Sequence, residues 1–109
     1  MAITYKVLGQ SNPSATTNTD LYTVPAATSA VCSTLVVCNQ ASTAATFRVA
    51  VRPAGTTVAA QHYISYDTNL NANDSITMTI GMTLATTDIV TVRASSGTVS
   101  FSLFGSELS

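Results

Sequence analysis

The run AVCSTLVVCN at residues 30–39 is the longest and most apolar stretch of the chain, and it narrows the fold more than any other feature. Its β-branched residues Val31, Thr34, Val36 and Val37 favour extended backbone. Apolar groups fall on both of its faces, which predicts a central strand covered on two sides. Each remaining segment then reads as a shorter strand that pairs with it or packs across from it.

Extended pieces are expected at 5–10 and 21–24, separated by the polar run SNPSATTNT, whose proline and turn residues cannot hold a helix. Residues 46–52 alternate cleanly, with Phe47, Val49 and Val51 opposite Arg48, Ala50 and Arg52. In 61–67, His62, Ile64 and Tyr66 share one face and Tyr63 and Ser65 the other, with turn chemistry expected at 69–73. In 75–80 the pattern returns as Ile76, Met78 and Ile80, and Gly81 is expected to end it. Residues 89–94 place Val90, Val92 and Ala94 on one side; Ser96 and Gly97 then read as a tight hairpin loop. Val99, Phe101 and Leu103 point inward on the last strand, with GSELS as a tail.

No window sustains a 3.6-residue period. Seven or eight short strands about ten residues apart indicate an all-β fold: a single antiparallel β-sandwich, jelly-roll or immunoglobulin-like, in one domain over 1–109.

Only 8% of the residues are charged, against about 25% in an ordinary soluble domain. Thr, Ser, Ala and Asn stand where Lys and Glu usually do. Such a surface is wettable but offers little like-charge repulsion between copies, which suits assembly. A bland secreted β domain fits the same composition. The net charge is −1, and Lys6, Arg48, Arg52 and Arg93 are too few and scattered to form the positive stripe that nucleic acid requires. The sequence has no membrane-length apolar run and no leader-like start, so the chain is expected to be made and kept in the cytoplasm unless a particle carries it out.

Cys32 and Cys38 lie on one expected strand with their Cα atoms about 20 Å apart, too far for a mutual disulfide. Their equal parity puts both on the same side, as buried free thiols. A metal site is not expected, because no Cys or His cluster completes one. No cofactor and no small-molecule substrate are indicated.

Catalysis would need His62, the single imidazole, as a base, and no nucleophile elbow presents a hydroxyl to it. Packing or surface exposure explains His62 more simply. Asp20, Asp67, Asp74, Asp88 and Glu107 sit beside turn residues and are expected to hold turns by Asx-type hydrogen bonds. The triplet at Asn73 matches a glycosylation acceptor, a short pattern that chance also produces. Tyr5, Tyr22, Tyr63 and Tyr66 would be the only sugar platforms, and their turn-flanked positions read as packing.

Arg48 and Arg52 form the sharpest surface feature, about 13 Å apart on one strand face. An exposed guanidinium pair can fork onto carboxylates of a partner subunit, and Arg48, Arg52, Arg93 and Tyr63 are the candidate interface residues. Pairing within the chain, to Asp67 or Asp88, is the alternative.

The segments LYTVPA, STLVVCN, TFRVAVRPAG, YISYD, NAND and FGSE, taken in order, resemble small virion structural proteins of tailed phages, especially phages of cyanobacteria. The likeness runs over nearly the whole chain, and its motifs are structural, not chemical. It implies a many-copy head decoration or cement protein on the outer capsid surface of the virion. Its partners would be the major capsid protein and copies of itself, as a trimer or dimer. A tail, baseplate or fibre-associated protein is the competing reading; a carbohydrate-binding module or a small hydrolase is weaker.

Overall fold

The structure, a computed structural model, describes residues 2–109 as eight β-strands. They are β1 (Ile3–Ser11), β2 (Thr19–Thr23), β3 (Ser29–Asn39), β4 (Ala45–Arg52), β5 (Tyr63–Leu70), β6 (Ser75–Leu84), β7 (Ile89–Ala94) and β8 (Val99–Leu108). Two short 3-10 turns, Pro53–Gly55 and Ala60–His62, join β4 to β5.

One sheet has the order β1-β8-β3-β6 and the other β2-β7-β4-β5, and every pairing is antiparallel. The pairs β1 with β8, β2 with β7, β3 with β6 and β4 with β5 match the first half of the chain, strand by strand, to the second half in reverse. A ribbon doubled in this way and wound over two layers is the eight-stranded jelly roll. That order selects the jelly roll over the immunoglobulin-like alternative.

The alternating residues of both sheets meet in one apolar layer. Phe47 of β4 and Phe101 of β8 reach across it edge to face, ring centroids 6.1 Å apart. Leu35, Val37, Val49, Val90, Val92 and Leu103 are wholly buried around them. Burying each such side chain contributes about 1.5–3 kcal/mol before entropy is subtracted.

Asn39, the last residue of β3, is 1% exposed and ties one end of the sandwich together. Its amide donates to the carbonyls of Thr43 (2.8 Å) and Asn71 (3.3 Å), and its Oδ1 accepts from the Ala41 N–H and the Thr98 hydroxyl (both 3.1 Å). These partners come from three separate connections, so one buried side chain sets how the loops meet.

Several expectations are corrected. β3 lies between β8 and β6 but is covered on one side only: Ala30, Cys32, Leu35 and Val37 are buried, whereas Val31 is 38% exposed. A β-bulge at Ser33 interrupts both pairings of β3 between Cys32 and Thr34 and shifts the alternation by one residue. As a result Cys32 is buried and Cys38, half-buried, faces away from the core. β5 continues through the buried Leu70, and β6 passes through Gly81 to Leu84. Ser96 and Gly97 make no hairpin: β7 and β8 belong to different sheets, and the loop crosses between them. The segment expected as a tail belongs to β8, held between β1 and β3.

Candidate functional site: two unlike outer faces

The outer face of the β2-β7-β4-β5 sheet holds the arginines. Arg48 and Arg93 are cross-strand partners in the β4–β7 register, which brings directly opposed Cβ atoms to about 4.5–5.5 Å. On the other side of β4 the β5 register jumps, so that Tyr66 and Asp67 both stand against Arg48, with Asp67 in the left-handed region at φ 49°. An aspartate tolerates that conformation better than most residues.

The bulge therefore aims a carboxylate and a ring at one guanidinium. Arg48 Nε and Nη2 donate to Asp67 Oδ1 and Oδ2 at 2.7 and 3.1 Å, and its Cζ lies 4.1 Å from the Tyr66 ring centroid. Tyr63 meets Tyr66 edge to face at 4.9 Å. The hydrogen bonds from Arg48, with the charges of Arg48 and Arg93, hold the Asp67 carboxyl below the usual carboxylate range; the same bonds raise Arg48.

Arg52 lies on the same face and is equally engaged. It donates to the Thr91 hydroxyl (3.0 Å), the Thr56 carbonyl (3.3 Å) and Asp20 Oδ1 (3.0 Å). Arg48 takes the Asp67 partner named as an alternative from sequence, whereas Asp88 pairs with neither arginine and accepts the backbone N–H groups of Ala54 and Ala85. Among the described residues, Asp74 and Asp88 are the acids that bond to turn amides. Asp20, Asp67 and Glu107 form ion pairs instead.

Arg93 differs. Among the described residues its half-buried side chain makes no hydrogen bond and no ion pair. With Arg48 and Asp67 it lines a cleft of about 220 Å³ walled by Thr16, Thr46 and Ser95. The turn before β2 closes that cleft, because Thr16 donates its N–H to the Ala94 carbonyl at 2.7 Å.

The other outer face, on the β1-β8-β3-β6 sheet, carries a feature that the alternation pattern concealed. Ile3, Tyr5 and Val7 alternate on β1 as inward residues would, yet they are 53%, 82% and 46% exposed. Val31 and Phe104 adjoin Tyr5 and Val7 in a shallow, mostly apolar hollow. Tyr5 thus departs from the packing expected of the tyrosines, as does Tyr66 at 56% exposed, while Tyr22 is buried. The signal in the sequence was the surplus of apolar residues on β3: two apolar faces were present, but only one is used in the core.

His62 sits in the second 3-10 turn, where its Nδ1 accepts the Ala59 N–H at 3.0 Å; among the described residues no hydroxyl is hydrogen-bonded to it. No group of three or more metal-ligating side chains occurs among the described residues. No helix among them is long and apolar enough to cross a membrane.

No protein-family model matches the chain, and no curated protein matches it. Among solved structures, it is similar to a chain from a structure of infectious bursal disease virus, Gx strain, with 13% identity and a TM-score of 0.46. The alignment covers 97% of this chain and 30% of that one, and a likeness of this size carries no functional argument.

Proposed function

We propose that the protein is a non-enzymatic structural subunit of a virus particle, a capsid decoration protein that seats the β1 face against the major capsid protein and bridges neighbouring subunits. The observation that carries this reading is the exposed apolar group Ile3, Tyr5, Val7 and Val31 gathered on one sheet face, against only Ile64 and Tyr66 exposed on the other sheet among the described residues. Contiguous exposed apolar groups on a sheet face mark a contact surface. β1 is also an edge strand, whose free N–H and C=O groups can extend the contact by strand pairing. The likeness of the sequence segments to virion proteins of tailed phages supports the same assignment.

A clamp that buries roughly 800 Å² on each neighbour adds a standard-sized interface across every lattice seam. Binding the assembled shell and not its separated parts, it shifts the assembly equilibrium toward the shell and resists the pressure of packaged DNA. The test compares particles with and without the protein. Those lacking it are expected to release DNA at a lower temperature, and Val7→Lys is expected to prevent its incorporation. Equal heat resistance, or full incorporation of Val7→Lys, overturns the reading.

A further inference from the structure

Among the described residues, the ion pairs leave one arginine over. Lys6 pairs with Glu107, Arg48 with Asp67 and Arg52 with Asp20, while Asp74 and Asp88 are committed to backbone amides. Both oxygens of Asp67 are taken by Arg48, so the carboxylate that shares the cleft with Arg93 has no fork to offer it. Two guanidiniums therefore share one carboxylate on a sheet face, in a cleft whose remaining walls are the hydroxyl residues Thr16, Thr46 and Ser95 together with Phe47 and Ala94.

We propose that this cleft is a carboxylate-binding site, in which Arg93 receives an Asp or Glu side chain from a neighbouring protein subunit. A second carboxylate balances the second guanidinium, and the planar fork of arginine matches carboxylate geometry with two parallel hydrogen bonds. At about 220 Å³ the cleft is smaller than the roughly 300–1,000 Å³ that small-molecule sites occupy, and it suits one side-chain head group. Half-burial keeps the pair partly shielded from salt, and arginines held in this way are common anchors of protein interfaces. The site lies on the sheet opposite the β1 patch, so the subunit has a second, polar contact face. The choice of a subunit as the source of the acid rests on the proposed function; the carboxylate chemistry does not.

Two experiments separate these parts. In the isolated, isotope-labelled protein, acetate is expected to shift the Arg93 Nε–Hε and Ser95 amide signals saturably. Chloride at equal ionic strength should not do so, and Arg93→Gln should abolish the effect while Arg93→Lys retains part of it. Absence of an acetate-specific shift in the unmodified protein overturns the site. On particles, Arg93→Gln is expected to lower occupancy at least tenfold under limiting protein. Acetate binding with unchanged occupancy overturns the assignment to a partner subunit. A protein that binds acetate and never joins particles refutes the proposed function, while the carboxylate site stands.

Discussion

Gly105 lies so close to the Val31 carbonyl across the β8–β3 pairing that a Cβ at Gly105 would sit 2.1 Å from that oxygen. Gly105 pairs with Cys32, the residue immediately before the Ser33 bulge in β3. Gly105→Ala must displace backbone and is expected to cost about 3 kcal/mol or more, at the upper end of overpacking. Gly97→Ala, with nothing within 4 Å of the added Cβ, is expected to stay within about 0.5 kcal/mol. Urea denaturation of both variants checks the contrast, and equal stabilities would remove the steric role of Gly105.

Asn39→Ala strips four hydrogen-bond partners in three connections at once. Leaving buried groups unpaired costs about 1–3 kcal/mol each where water cannot replace the partner, so a loss of about 3 kcal/mol is expected. Asn39→Leu, close in volume and equally unable to bond, should be no better. Thermal melts that place either variant within a degree of the unmodified protein would show that solvent satisfies these loops.

The bulge in β3 separates the two cysteines chemically. Cys38, half-buried on the outer face, is expected to react with a thiol reagent in the folded protein. Cys32, wholly buried and with its thiol pushed up to about 11 by burial, should react about 100-fold or more slowly, through opening of the sandwich. Stoichiometry with and without Cys38→Ser reads this directly; equal rates would restore the same-side arrangement expected from parity.

Stability should fall at both ends of the pH scale. Hydrogen bonds from Tyr22 and Lys6 hold Glu107 below its ordinary 4.5, and Arg48 holds Asp67 below 3.8. The unfolded chain therefore binds more protons in this range: the contribution is complete above about pH 5 and is lost as pH falls through the folded values. Glu107→Gln should flatten that acid limb. At the alkaline end the sign reverses. Burial raises Cys32 from 9.0 to about 11, and burial with the Glu107 contact raises Tyr22, so stability present below pH 9 is lost as pH rises through the folded values. Cys32→Ala should reduce that decline even though its cavity lowers stability at every pH. Denaturation curves collected from pH 3 to pH 11 test both limbs.

The chain itself determined which residues face the core wherever alternation ran unbroken. Phe47 and Val49 on β4, Val90, Val92 and Ala94 on β7, and Val99, Phe101 and Leu103 on β8 all point inward as the period of two requires. The turn residues bounding these segments carried enough information to indicate an all-β sandwich. Tertiary structure decided what depends on neighbours distant in sequence. A bulge such as that at Ser33 needs a partner strand to define it, and one extra residue reverses every later side chain on the strand, as Cys38 shows. Ile3, Tyr5 and Val7 alternate like core residues and lie outside, because β1 occupies an edge whose outer face no element covers. The pairing of Arg48 with Asp67 and of Arg52 with Asp20, which leaves Arg93 over, follows from the β4–β5 register and the crossing of β2 to β7. Side-chain period is a local property of the backbone, whereas register and coverage arise only when strands far apart in the chain meet.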